Sequence, residues 1–385
     1  MCRFLVSSFR SPIYPTNLLQ VYKGSSPITL SKLITEPSHS ILTQSYDSRL
    51  RLDTRRPVNG DGFGVGWYTE ACLGADPCIF TSTLPAWNCV NLERIAPKTQ
   101  SRLIFAHVRA TTEGSLAENN CHPFQHNTLM WMHNGNVGAW KYVKRRISNS
   151  LAEKWYLGIK GGTDSEYAFA LFLDTLEKEF GVDPDAEPEF GFGPKILRRA
   201  MERTIEKINE FVKSVPVEHH LAEVETRSLL NFAVTDGHSV VVTRYVSSKT
   251  DAAASLYYSS GTAWVEGKEK GDFRMERRDK ASDVVLVASE PLTFERHNWL
   301  AVPTNTIVTI SRQTVFVEPI MDEYFDDDPS RERSSGFAKS KGLVAKAPGG
   351  ISVAPTPTAV TPPASPGPEI EVPLIISNGH TVKGH

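Results

Sequence analysis

The run Leu103-Ile104-Phe105-Ala106-His107-Val108 is apolar at nearly every position. That pattern fits a central strand covered on both faces, not one with a wet side. A second run of the same kind is Leu129-Met130-Trp131-Met132-His133, which the turn pair Asn134-Gly135 is expected to stop. Strands like these need covering layers, and the chain supplies them. Behind Gly161-Gly162-Thr163-Asp164-Ser165-Glu166, the residues Ala168, Phe169, Phe172, Leu173, Leu176 and Phe180 recur with helical period. Thr163 and Glu166 stand at capping-box spacing. Ile196, Leu197, Ala200, Met201, Ile205, Ile208 and Val212 line one face of a second helix. More strands are expected at 229–235, 239–244, 256–259, 284–288 and 306–310, with Asp236-Gly237 as a hairpin turn. Strands, then helices, then strands give an α+β fold with enough strands for two sheets.

At 385 residues, with 40% apolar and 22% charged residues, the chain can bury a large core. A net charge of −2 offers no basic surplus for nucleic acid. No secretory signal pattern opens the chain, and no apolar run is long enough to span a membrane. The five cysteines, Cys2, Cys72, Cys78, Cys89 and Cys121, have no framework spacing. An intracellular protein without structural disulfides is expected. Cys121-His122, His126 and His133 admit a reading as metal ligands, but no metal is expected.

The candidate nucleophile is Cys2. Removal of Met1 would leave a thiol and a free α-amine on one residue, so nucleophile and base arrive together. A small buried Cys in second place is the plainer alternative. A strand is expected at residues 2–9, broken by Pro12, Pro15 and Pro27, with a short helix at 28–34. Residues 48–56 hold four arginines, Arg49, Arg51, Arg55 and Arg56, either a solvated face or an anion-binding loop. Asn59-Gly60-Asp61-Gly62-Phe63-Gly64-Val65-Gly66-Trp67-Tyr68 is a Gly-rich turn running into a strand. It lacks the P-loop pattern, so its glycines are expected to let backbone pack closely.

Arg109 ends a buried run, Asn134-Gly135 ends another, and Asp164 sits at a helix mouth. Each has a dull reading: an ion pair, a turn and a helix-start acid. Together with Cys2 they supply what cleavage of a free amino acid's side-chain amide needs. An Asn amide and a Gly N–H can hold an oxyanion. An arginine can grip the substrate's α-carboxylate, and a carboxylate its α-ammonium.

These residues resemble the class II glutamine amidotransferases of the N-terminal-nucleophile hydrolase superfamily. The likeness rests on Met1-Cys2, His107-Val108-Arg109-Ala110-Thr111-Thr112-Glu113-Gly114, His133-Asn134-Gly135 and Thr163-Asp164-Ser165-Glu166, in that order. It implies a four-layer αββα sandwich, no cofactor, Cys2 as nucleophile and an oxyanion hole of Asn134 and Gly135. Arg109 and Asp164 would clamp the glutamyl head, assisted by Thr112. Synthase-coupled members carry a Trp and a His where this chain has Ala110 and Glu113. The lid over the glutamyl pocket is therefore expected to differ, and free glutamine need not be the substrate. The resemblance implies a domain at 2–323, and the acidic then Pro-rich residues 324–385 read as a mostly disordered tail.

A narrower likeness lies in Ser48-Arg49-Leu50-Arg51-Leu52-Asp53, Asn59-Gly60-Asp61-Gly62-Phe63-Gly64-Val65, Asn231-Phe232-Ala233-Val234-Thr235-Asp236-Gly237 and Ala288-Ser289-Glu290-Pro291-Leu292-Thr293-Phe294-Glu295-Arg296. These are similar to the fungal amidotransferase-like subunits of the Dug complex. That resemblance implies a cytoplasmic enzyme cleaving glutathione to glutamate and Cys-Gly, beside a partner subunit related to metallopeptidases. The alternatives are a glutaminase subunit feeding ammonia to a separate synthase, a γ-glutamyl hydrolase of sulfur-metabolite biosynthesis, and a non-catalytic γ-glutamyl-binding subunit.

Overall fold

The computed structural model describes residues 17–50, 59–110, 115–216, 224–278, 282–328 and 331–346. Cys2 with the strand expected at 2–9, Thr112, and Arg51, Arg55 and Arg56 lie outside the described residues, as do residues 347–385.

In chain order the strands are β1 (Leu18–Thr29), β2 (Phe63–Trp67), β3 (Cys78–Ser82), β4 (Gln100–Val108), β5 (Phe124–His126), β6 (Leu129–Asn136), β7 (Leu229–Thr235) and β8 (Ser239–Arg244). They continue with β9 (Tyr257–Gly261), β10 (Ala263–Glu266), β11 (Phe273–Glu276), β12 (Val284–Ala288), β13 (Leu300–Ala301), β14 (Thr306–Ser311) and β15 (Thr314–Pro319). The helices are α1 (Ser31–Ile34), α2 (Ile41–Tyr46), α3 (Val90–Ile95), α4 (Trp140–Ser150), α5 (Glu153–Leu157), α6 (Asp164–Phe180), α7 (Pro194–Lys213) and α8 (Gly336–Ser340).

A seven-stranded sheet runs β13-β9-β12-β1-β4-β2-β3, and a six-stranded sheet runs β15-β14-β8-β7-β6-β5. The period-2 alternation of β1 shows how they stack. Leu19 and Val21 join Phe105, Met130, Met132, Ala233, Val242 and Val287 in a core contributed by both sheets. Leu18 and Tyr22 point the other way, into a core with Leu33 of α1, Ile41 of α2 and Leu92 of α3. The second sheet's outer face packs under α4, α6 and α7 through Trp131, Phe172, Leu197, Met201, Ile205 and Phe232. Helices on both outer faces and two sheets between them make the expected αββα sandwich.

Four details differ from the sequence expectation. Pro27 lies inside β1, at a register shift between Lys23 and Ile28 where a residue without an N–H does not interrupt the ladder. The helix after it is confined to Ser31–Ile34. Asn134-Gly135 is not a turn: β6 runs on to Asn136, pairing Asn134 with Asn231 and Gly135 with Leu230. The chain also stays packed beyond residue 323. Phe337, Ala338 and Leu343 bury themselves against Leu229, Val246, Ala253 and Ala254, which removes residues 331–346 from the expected tail.

Close packing explains the Gly-rich run. A Cβ on Gly64 of β2 would stand 2.1 Å from the His122 carbonyl oxygen, so that backbone lies where a side chain would otherwise be.

Candidate active site

Strand register brings the candidate residues to one end of the sandwich. Leu18, at the head of β1, pairs with Val108 at the end of β4, and Phe63 pairs with Val108 from the other side. Arg109 follows immediately. Its backbone N–H donates to the Gly62 carbonyl at 2.8 Å, and its Nη1 to the Ser115 carbonyl at 3.4 Å. The side chain is buried, and desolvation pulls the guanidinium below its ordinary pKa while the charges of Cys121, Asp61 and Asp164 oppose that pull. A guanidinium still stays protonated under such a shift, so the site holds a permanent buried cation.

From the facing sheet, β6 delivers His133, Asn134 and Gly135. His133 Nε2 lies 3.0 Å from the Leu229 carbonyl, which requires the N–H there, and Nδ1 then accepts from Ser165 Oγ at 2.9 Å. Burial lowers the His133 pKa, so this fixed, neutral ring props the residues on either side of it. Asn134 is buried; its Nδ2 donates to Ser289 Oγ at 2.7 Å, and its Oδ1 has no hydrogen-bond partner among the described residues. Gly135 admits no side chain, because a Cβ would sit 1.8 Å from the Leu229 carbonyl oxygen.

The third wall is the N-terminus of α6. Thr163 caps it, accepting from Glu166 N at 3.4 Å. The expected capping box is only half formed, because the Glu166 carboxylate turns to the backbone N–H groups of Lys160 and Gly161, both at 2.7 Å. Asp164 Oδ2 accepts from Val137 N at 2.8 Å, just past β6, and Oδ1 from Ser165 N at 2.8 Å. Asp164 therefore ties α6 to the second sheet. A carboxylate has room for about four donors.

Beneath the site, His107 Nε2 stands 3.2 Å from the His133 carbonyl, and its ring lies 4.1 Å from that of His122. Burial brings the His107 pKa down to about 3 and that of His122 well below normal, so both are neutral. Cys121 is a poor nucleophile, since burial pushes its thiol up to about 11. Among the described residues, no group of three or more His, Cys, Asp or Glu is arranged to hold a metal ion. No helix there is long and apolar enough to cross a membrane.

Arg109, Asn134, Gly135 and Asp164 thus lie at the same end of the sandwich, while Cys2 and Thr112 fall outside the described residues. Sequence reasoning missed four contributors. Asn17 Oδ1 accepts from Ala110 N at 2.9 Å, and Asn120 Nδ2 donates to the Ser115 carbonyl beside Arg109 at 2.9 Å. Asp61 sets charge beside Arg109, and Ser289 holds Asn134. A polar residue one step before a buried strand, as at Asn17, is the kind of signal that could have found them. Of the arginine cluster, Arg49 is exposed and pairs with Asp47 at 3.2 Å.

The class-II glutamine amidotransferase family model matches residues 41–334. The chain is 52% identical over 350 residues to the probable glutamine amidotransferase DUG3 of Saccharomyces cerevisiae, spanning 90% of this chain and 92% of that protein. It is 28% identical over 160 residues to a γ-glutamyl-hercynylcysteine sulfoxide hydrolase of Mycobacterium tuberculosis, covering 41% of this chain and 65% of the relative. A solved class-II glutamine aminotransferase domain protein from Silicibacter pomeroyi aligns over 78% of this chain and 98% of its own, at a TM-score of 0.49 and 22% identity.

Proposed function

Because the chain belongs to the class-II glutamine amidotransferases, hydrolases of γ-glutamyl amide bonds, we propose that it cleaves glutathione in the cytoplasm to glutamate and Cys-Gly. The observation that carries this reading is the meeting, at one end of the sandwich, of a buried Arg109 cation, the Asn134 amide and the Asp164 carboxylate. Arg109 binds the substrate's α-carboxylate and Asp164 its α-ammonium, with Thr112 assisting.

The Cys2 thiol gives its proton to its own α-amine and attacks the side-chain carbonyl carbon. The developing oxyanion is held by Asn134 and the Gly135 N–H. Collapse breaks the C–N bond, and the ammonium returns the proton to the leaving amine. Water then hydrolyses the thioester, releasing glutamate and restoring Cys2. No cofactor enters these steps.

Glutathione fits this chemistry because its γ-glutamyl link is a glutamine side-chain amide with Cys-Gly on the nitrogen. The M. tuberculosis relative is named for hydrolysing an N-substituted γ-glutamyl compound, which supports a pocket open beyond the amide nitrogen. A partner subunit related to metallopeptidases completes the proposal, in keeping with the likeness to Dug-complex subunits. The test is product analysis on purified protein, with and without the partner, offering glutathione and glutamine. Cys-Gly release supports the reading, ammonia from glutamine alone supports the glutaminase alternative, and neither product leaves a non-catalytic binding role.

A further inference from the structure

The donor Asn134 is held by very little. Among the described residues, the one hydrogen bond of its side chain is the 2.7 Å bond from Nδ2 to Ser289 Oγ, and its Oδ1 is buried without a partner. An amide held at one point turns freely about its own axis when that point is lost. Ser289 is itself fixed. Its Oγ also accepts from Leu19 N at 3.2 Å, and its N–H donates to the Leu19 carbonyl at 2.9 Å. Ser289 thus links the head of β1, the end of β12 and the end of β6, across both sheets.

Behind Ser289 stands the C-terminal segment. The Ser289 carbonyl accepts from Ser255 Oγ at 2.9 Å, and Ser255 Oγ accepts in turn from Ala345 N at 3.1 Å. Ser255 N donates to the Leu343 carbonyl at 2.8 Å, and Tyr257 Oη to the Ala345 carbonyl at 2.7 Å. The same segment buries Phe337 and Leu343 against Leu229, whose carbonyl fixes His133 and excludes a side chain at Gly135. Leu343 and Ala345 therefore back both halves of the candidate oxyanion hole.

We infer that Ser289 is a positioning residue for Asn134, and that residues 343–345 belong to the active-site framework through Ser255. The inference rests on the reading of Asn134 as an oxyanion donor. Ser289→Ala leaves the Asn134 amide free to rotate away from the developing charge. The loss falls on the transition state and not on binding of the glutamyl head, so kcat drops and KM holds.

The test measures hydrolysis of glutathione and of γ-glutamyl-p-nitroanilide by the full-length chain, with its partner subunit where turnover requires one. Ser289→Ala is expected to lower kcat about tenfold with KM within about twofold, a fraction of the 10²–10³-fold that loss of an oxyanion donor costs. Ser255→Ala, which removes the hydroxyl between the Ser289 carbonyl and Ala345 N while the backbone bond from Ser255 N to Leu343 stays, is expected to lower kcat by about threefold, again without moving KM. On an Asn134→Ala background Ser289→Ala should cost less than about twofold more, since residues acting as a unit are not additive. Ser289→Ala at wild-type kcat beside an impaired Asn134→Ala would overturn the positioning role and leave the functional reading intact. A change in KM alone, or full additivity in the double variant, would do the same. Asn134→Ala at the wild-type rate, or a wild-type protein with no γ-glutamyl hydrolysis, would overturn the functional reading and the inference with it.

Discussion

At the end of the sandwich where β7 turns into β8, the Asp236 carboxylate accepts from four backbone N–H groups. Phe192 and Gly193 donate to Oδ2 at 2.8 and 3.3 Å, and His238 and Ser239 to Oδ1 at 3.0 and 2.7 Å. The same carboxylate offsets the desolvation of buried Lys23. At the opposite end, Asn134 Oδ1, His107 Nδ1 and both ring nitrogens of His122 are buried without partners among the described residues. The Asp236 carboxylate has its donors in place, whereas these groups at the other end are kept in reserve. Unsatisfied buried groups cost about 1–3 kcal/mol each, so a fold tolerates them where something is to be bound.

The largest effect is expected at the proposed nucleophile. Cys2→Ala should remove all turnover and all thioester, and intact-mass measurement should find Met1 absent from active protein. Just before β1, Asn17 stands at the candidate site, hydrogen-bonded to Ala110 N. Deleting residues 3–17 would set Cys2 directly before Leu18, in the place Asn17 now holds. That variant should keep glutathione cleavage; a folded but inactive product would show that the intervening residues deliver the thiol by another route.

Asn134→Ala should lower kcat by about 10²–10³-fold. Asp236→Ala, at the other end, should leave kcat alone while lowering stability by about 1–3 kcal/mol for the backbone donors it strands. Urea unfolding and steady-state kinetics on both variants test the pairing. Equal kinetic losses would erase the distinction between the two ends.

Arg109→Ala and Asp164→Ala should act on KM more than kcat, as expected for groups that grip the substrate equally in ground and transition states. Asp164 carries a second burden, because Val137 N and Ser165 N lean on it. Asp164→Ala should therefore also lower the melting temperature. Wild-type kinetics for that variant would leave Asp164 as a helix-start acid and nothing more.

The smallest effect concerns pH. His107 and His122 are neutral in the fold with lowered pKa values, that of His107 about 3, so the unfolded chain binds protons before the native one does. Stability should be fully present above about pH 6.5, the unfolded value, and should fall as pH drops from there toward the folded value. For one such histidine the slope is at most about 1.4 kcal/mol per pH unit. Urea midpoints between pH 7 and 4 should decline more steeply in wild type than in a His107→Gln variant.

Periodicity disclosed the long buried elements well. β7, β8 and β12 begin and end where their apolar runs do, because central strands bury both faces and leave no ambiguity of period. The short β3 and β5 and the exposed edge strand β15 escaped, having little apolar pattern to show. Arg109 and Asp164 were legible because charges at the mouths of apolar elements stand out. Ser289 was not, since it lies 155 positions from Asn134 and only the stacking of the sheets brings the two together. Asn134-Gly135 misled for a physical reason: the pair that favours a turn is here a strand end whose glycine admits the Leu229 carbonyl.

The close approach at Gly64 has a consequence for how such chains diverge. Its missing side chain is filled by the backbone of His122, whose identity as a residue hardly matters to the contact. Drift at position 122 can proceed without any answering change at 64, whereas replacement of Gly64 cannot be rescued by any substitution at 122. The glycine string, which lacks the P-loop pattern, marks in this protein how closely the segment leading into β5 lies against β2. Its fixity among descendants would measure that close approach and carry no news of the ligand.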